Sequence, residues 1–467
     1  MKDENLSDWI AANREKMVQD IVSLVNIQSI SIKGNIPGEP FGPGCRHALD
    51  AALKLAERKG LQVKNAEGYY GLACLEGEKK SSIGIFNHMD VVPEGEGWRY
   101  PPYQATVRDG LIIGRGAADN KGPAIAMQYV LRYLMDTGFR PHHTIQLYYG
   151  CSEEHGMADL DVFRKQELMP RFSFTPDAAF PVCSGEKGIL QADAWAPLQS
   201  GILVDFSAGI ASNAVPASAC AVLQAEPTML KDMLAGIPGC RIEALDSSTV
   251  KITVSGIAAH AAFPEGSDSA EVRLATILRQ LPFMDKPTRH LLDGICALFG
   301  DYYGAGIGCP WKDEISGRLT HVGGMLRTEN GTLHQNINIR YNITADREKL
   351  QKNLRDALQK NGFSRAELQD DPPCYLPAEH PQVRTLAEIA NKHLGTALPP
   401  YTMGGGTYAR KLENAVGFGP GMPDKKQRFG PARGGAHQTD EYVEIEALEK
   451  AIPIYVEAIR CLDAQLD

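Results

Sequence analysis

The first hydrophobic pattern along the chain has a helical period. Wound at helical pitch, the segment 8–24 brings Trp9, Ile10, Met17, Ile21 and Leu24 near one face and leaves mostly polar residues elsewhere. A second helix is expected over 46–58. Short apolar runs at 72–75 and 83–86 read as strands, followed by a helix over 123–136, a strand over 144–149, a helix over 160–166 and a strand over 172–175. Strands alternating with helices predict an α/β layer with a mainly parallel sheet.

The texture changes after Gly185. Segments 251–255 and 336–342 alternate in strand fashion, with helices expected over 270–281 and 347–360. This α+β pattern predicts an inserted lid domain over 186–380, which divides a catalytic domain into 1–185 and 381–467. The last part holds a helix over 382–394, the glycine-rich MGGGTYAR at 403–410, a loop ending in GGAHQTDE, and a closing helix near 445–462.

Bulk properties agree with two domains and narrow the partners. The chain has 467 residues, more than one hydrophobic core usually serves. Hydrophobic residues at 43% and charged residues at 22% give an ordinary globular balance that argues against disorder. The net charge of −9 comes without any basic run able to track a phosphate backbone, so nucleic acid is not expected as a partner. The first segment, MKDENLSDWIAANREKMVQDIVSL, carries charges where a signal peptide needs an apolar stretch, and no apolar run reaches the roughly 18 residues of a membrane span. The 10 cysteines show no CxxC pair or regular spacing and read as thiols in a reducing compartment. A cytoplasmic protein without membrane contact is therefore expected.

Five segments carry the candidate chemistry. They are IGIFNHMD with His88 and Asp90, RGAADNKG with Asp119, YYGCSEE with Glu153 and Glu154, FSFTPDA with Asp177, and GGAHQTDE with His437. Taken singly, each has an ordinary structural use. An HxD is usually a turn, a Glu-Glu pair a solvated helix start, and Asp119 or Asp177 a turn or cap residue. Together they place acidic and imidazole groups in order at strand exits and glycine-rich loops, and ligands of open α/β sheets collect outside the carboxyl ends of the strands. Nitrogen and oxygen donors converging there suit a divalent cation such as zinc, with manganese or cobalt as alternatives.

These segments, in the forms NHMDVVP, GRGAADNKG, GCSEEHG, TPDAAFPVCSGEKG and AHQTDEY, resemble the dipeptidase branch of the co-catalytic zinc peptidases, PepV-type dipeptidases above all. The same superfamily holds carnosinases, aminoacylases, carboxypeptidase G and succinyl-diaminopimelate desuccinylases. The resemblance runs over nearly the whole chain. It implies a di-metal dipeptidase with a zinc-exopeptidase fold, in which Asp119 bridges two metals. His88 and Asp177 complete one metal site, and Glu154 with His437 the other. Asp90 holds the His88 imidazole, Glu153 acts as general base on a water shared by the metals, and Asp119 precedes a cis peptide bond. The lid contributes His260 in SGIAAHAAFPEG as an oxyanion donor, and Asn213 in SNAVP and Arg340 in NINIRYN as substrate contacts. Gly404, Gly405, Gly406 and Thr407 receive the terminal carboxylate of the peptide; consecutive glycines can turn backbone N–H groups towards an anion.

The long insert suits a lid that supplies His260 within one chain, so a monomeric active unit is expected. A deacylase or desuccinylase with the same metal centre is the alternative. A peptide-binding homologue without activity is disfavoured, because Glu153 and every ligand are present. His142, His143, His155 and Cys151 are expected to be structural, and Trp98 has no role that the sequence supplies.

Overall fold

The computed structural model describes residues 4–34, 36–198, 201–430 and 433–466, which fall into two compact units. The first comprises Met1–Gly185, Tyr375–Tyr401 and Gly406–Asp467, and the second Glu186–Cys374 with Thr402–Gly405.

In the first unit, strand Lys79–His88 lies between His143–Gly150 and Phe172–Thr175 and runs parallel to both. Ala415–Gly417 continues the parallel series beyond Phe172–Thr175. On the other side Tyr70–Leu75 and then Gln62–Ala66 add antiparallel strands. Successive side chains of a strand face opposite ways. Ile83, Ile85, Ile145, Leu147 and Tyr149 therefore enter one core, shared with helices Glu4–Val25, Pro43–Arg58, Lys121–Asp136 and Ile445–Gln465. Phe86 and Tyr148 enter a second core with Leu160, Phe163 and Tyr408. Burial on both faces is why these strands read as apolar runs with little alternation.

The second unit is a different construction. Its main sheet has eight strands, all antiparallel, in the order Cys240–Ala244, Thr249–Ser255, Ser218–Gln224, Leu203–Ala208, Thr320–Glu329, Thr332–Tyr341, Gly188–Pro197, Arg365–Asp371. Helices Ala270–Arg279, Lys286–Phe299 and Arg347–Lys360 share its main core with alternate strand residues such as Leu190, Ala192 and Ala194. The chain leaves this unit at Cys374 and not at 380, because Leu376 N–H already donates to Ser184 O in the first unit. Thr402–Gly405 belong with the second unit. Lys187 N–H donates to Met403 O, and Thr402 Oγ1 donates to Ile315 O. Among the described residues no helix is long and apolar enough to cross a membrane.

Candidate metal centre

Three adjacent parallel strands end on one edge of the first unit's sheet, and each delivers a polar group just there. Lys79–His88 ends in His88, His143–Gly150 leads to Glu153 and Glu154, and Phe172–Thr175 leads to Asp177. Asp119 sits just ahead of helix Lys121–Asp136, across a cis peptide bond to Asn120. The Asn120 side chain donates to Pro176 O at 2.8 Å, which ties the Asp119 loop to the Asp177 loop.

These side chains converge. His88 Nε2 lies 2.8 Å from Asp119 Oδ1 and 3.7 Å from Asp177 Oδ2. His437 Nε2 lies 3.2 Å from Asp119 Oδ2 and 3.0 Å from Glu154 Oε1. Two ligand groups result, His88–Asp119–Asp177 and Asp119–Glu154–His437, each with its donor atoms within 4.8 Å of one another, and Asp119 belongs to both. A third grouping of the same kind, His88–Glu153–Glu154, overlaps them. Asp119 and Asp177 also line a cavity of about 410 Å³, within the roughly 300–1,000 Å³ of small-molecule sites.

The electrostatics of this cluster fit a cation. Burial pushes the Glu153 carboxyl well above its usual range, and the charges of Glu154, Asp177 and Asp119 add to the effect against the opposing His88. Burial and then Asp119 push Asp177 up to about 7. Burial would favour neutral His437, yet hydrogen bonds to Asp119 and Glu154 outweigh it and raise the imidazole to about 11. Protons are thus held where carboxylates repel one another. Divalent cations relieve the same repulsion, and Glu153 Oε1 is buried with no hydrogen-bond partner among the described residues.

Asp90 contacts the His88 ring through two groups. Its backbone carbonyl lies 2.9 Å from His88 Nδ1, while its carboxylate Oδ1 is 3.5 Å away. The carboxylate also accepts the N–H groups of Glu153 at 3.1 Å and Glu154 at 3.0 Å. The carbonyl reaches the ring first because only Met89 separates the two residues. The carboxylate is left to span to the neighbouring strand exit.

That arrangement recurs at residues the sequence did not single out. Glu441 Oε1 accepts the N–H groups of Ala118 and Asp119, and its Oε2 pairs with fully buried Arg115 at 2.6 Å. Asp159 Oδ2 accepts the N–H groups of Cys151 and Ser152 and the hydroxyl of Tyr408. Asp440 Oδ1 accepts those of Arg99 and Tyr100, and its Oδ2 pairs with Arg433. Each buried carboxylate gathers two successive amides, so the loops that carry Asp119, Glu153 and Glu154 are fastened by hydrogen bonds of the charge-assisted kind. The acidic pair Asp440-Glu441, four residues or fewer after His437, was the visible signal for two of these three.

The residues expected to act in a lid lie in the second unit. His260 is exposed, and its Nδ1 accepts the Ala262 N–H at 3.2 Å. Asn213 O accepts the Ala261 N–H at 2.8 Å, which sets the Asn213 and His260 segments side by side. Arg340 is buried and donates to Asn338 Oδ1 and to Gly404 O at 3.0 Å. A Cβ on Gly404 would stand 2.7 Å from Ala262 Cβ, so only glycine fits there. The structure therefore brings Gly404, Arg340 and the His260 loop together. Gly406 and Thr407 lie in the first unit.

Among the residues expected to be structural, His142 pairs with Glu78, and buried His143 with Asp463. Cys151 is fully buried. Trp98 carries the Arg115 guanidinium 5.2 Å from its ring centroid, which places it beside the Arg115–Glu441 pair.

The sequence model of peptidase family M20/M25/M40 matches residues 84–460. The Bacillus subtilis (strain 168) protein YtjP, named as a candidate dipeptidase, is 33% identical, with 96% of this chain and 98% of that one covered. The Beta-Ala-Xaa dipeptidase of Lactobacillus delbrueckii subsp. lactis is 31% identical, with 98% of each covered. Human carnosine dipeptidase 1 shares the fold, with a TM-score of 0.59 at 15% identity over 99% of this chain and 98% of that one.

Proposed function

The chain belongs to peptidase family M20/M25/M40, and on that premise we propose that it hydrolyses the amide bond of dipeptides and other very short peptides at a centre of two divalent cations. The observation that carries this is Asp119, which offers one oxygen to each of two histidine–carboxylate groups. The dipeptidase names of the relatives covering nearly the whole chain favour the substrate class. His88, Asp119 and Asp177 would hold one ion and Asp119, Glu154 and His437 the other, with zinc suiting the mixed nitrogen and oxygen donors and manganese or cobalt as alternatives.

Two such ions, when bound, acidify water and polarise a carbonyl. Glu153, at hydrogen-bonding reach of the same space, takes the proton from the attacking water and delivers it to the leaving amine. Its raised affinity for a proton suits both halves of that task. Asp90 holds the Glu153 and Glu154 amides and so aims both side chains. His260 donates to the developing oxyanion, Asn213 and Arg340 contact the substrate, and Gly404, Gly405, Gly406 and Thr407 receive its terminal carboxylate. That last requirement confines the enzyme to short peptides. A monomeric active unit in the cytoplasm completes the proposal, and the 10 free cysteines favour a reducing setting.

A hydrolysis panel of dipeptides and N-acyl amino acids tests the substrate class. Dipeptide turnover is expected to dominate; turnover of N-acetyl or N-succinyl amino acids alone would overturn it in favour of a deacylase. Elemental analysis tests the centre. Protein stripped by chelator and then saturated with zinc, manganese or cobalt is expected to hold two ions per chain and to regain activity, and no more than one ion at saturation would end the two-metal scheme.

A further inference from the structure

One buried oxygen joins two segments that the proposed function treats separately. Asp159 Oδ2 accepts the N–H groups of Cys151 at 2.7 Å and Ser152 at 3.1 Å, the two residues leading into Glu153. It also accepts the Tyr408 hydroxyl at 2.5 Å, and Tyr408 directly follows Gly406 and Thr407. Burial keeps the Tyr408 phenol protonated far above neutrality, so it is the donor. The junction is closely built. Asp159 and Tyr408 are almost fully buried, and the Tyr408 ring packs edge-on against Tyr148. A Cβ on Gly150 would stand 1.7 Å from the Tyr408 hydroxyl and 2.3 Å from Asp159 Oδ2, so the strand exit is bare at that point.

We propose that Asp159 and Tyr408 are positioning residues that relay occupancy of Gly406 and Thr407 to Glu153. A carboxylate bound at Gly406–Thr407 restrains the chain next to Tyr408. Tyr408 holds Asp159, and Asp159 holds the two amides that aim the Glu153 loop. A peptide with a free terminal carboxylate thus improves the geometry of its own general base, and the benefit is read in kcat as well as in KM. This rests on the carboxylate-binding role proposed for Gly406 and Thr407.

Kinetics on paired substrates provides the test: a dipeptide and the same dipeptide with its carboxylate amidated. The unaltered enzyme is expected to show a higher kcat on the free acid. Tyr408→Phe removes one hydroxyl and keeps the ring. It should lower the free-acid to amide ratio of kcat by roughly 10–100-fold, the range for one hydrogen bond to a charged acceptor. Asp159→Asn should lower the same ratio. A ratio unchanged in both variants would overturn the relay. No preference for the free acid in the unaltered enzyme would instead refute the carboxylate-binding role itself.

A second readout does not depend on turnover. A dipeptide isostere with a reduced CH₂–NH linkage and a free carboxylate is expected to slow amide hydrogen exchange over residues 143–157 in the unaltered protein and not in Tyr408→Phe. Equal slowing in both, with the isostere bound to both, would overturn the relay. Melting temperature and metal content of the variants show whether they fold and load as the parent does.

Discussion

Glu153→Ala is expected to lose roughly 10²–10⁴-fold in kcat, the usual contribution of a general base, while keeping both metal ions. The geometry separates Glu153 from its neighbour. Glu154 Oε1 is engaged with His437 Nε2 at 3.0 Å, whereas Glu153 Oε1 is buried and has no hydrogen-bond partner among the described residues. Adjacent side chains leaving a strand diverge, so one carboxylate can serve a metal while the other faces the reacting water. Glu154→Ala should accordingly weaken the ion shared with His437. The overlapping group His88–Glu153–Glu154 makes the comparison necessary, because it offers Glu153 a ligand role. Metal titration of both variants decides. Loss of an ion from Glu153→Ala and not from Glu154→Ala would mean that the two roles are exchanged.

His260→Ala is expected to lower kcat by roughly 10²–10³-fold, the cost of removing an oxyanion donor. The Ala262 N–H donated to Nδ1 assigns the ring proton to Nε2, which makes the exposed imidazole a donor at that nitrogen. Subunit mixing checks whether the residue acts within its own chain. Inactive His260→Ala and inactive Glu153→Ala are combined under conditions that allow exchange. If His260 served a neighbouring chain, some sites would regain both groups and activity would return. No recovery is expected, together with a monomeric active enzyme in sedimentation; recovered activity would show that the lid histidine acts in trans.

Much of the first unit was legible because its strands and helices have the period of their own burial. Helix Lys121–Asp136 and strands His143–Gly150 and Phe172–Thr175 lie within two residues of the boundaries that hydrophobic pattern suggests. Strand Lys79–His88 is longer than its apolar centre at 83–86, because parallel neighbours continue the pairing through polar but buried Asn87 and His88. Less of the second unit could be read. Strands Gly188–Pro197 and Ser218–Gln224 are rich in alanine, which weakens the contrast between their faces, and helix Lys286–Phe299 is broken in sequence by Gly294.

The ligand candidates were visible as motifs. Asp159, Tyr408 and Arg115 were not, since Tyr408 is 249 residues from Asp159 and Arg115 is 326 from its partner Glu441. No local pattern announces a partner at that distance. Asp90 was visible as part of HxD, but the choice between its carbonyl and its carboxylate depends on where the next strand ends.

The order in which the two units draw on the chain has a consequence for synthesis on the ribosome. All eight strands of the second unit's sheet lie between Gly188 and Asp371, so that sheet can close while the C-terminal part is still being made. The first unit must wait. Its core takes Leu448, Ile452, Tyr455 and Ile459 from the last helix, and Asp463 of that helix accepts the N–H groups of His142 and His143. His437 and Glu441 also emerge late. A nascent chain therefore carries His88, Asp119, Glu153, Glu154 and Asp177 long before it has the residues that would complete and fasten their site, and that centre can be assembled only once the helix holding Asp463 has been made.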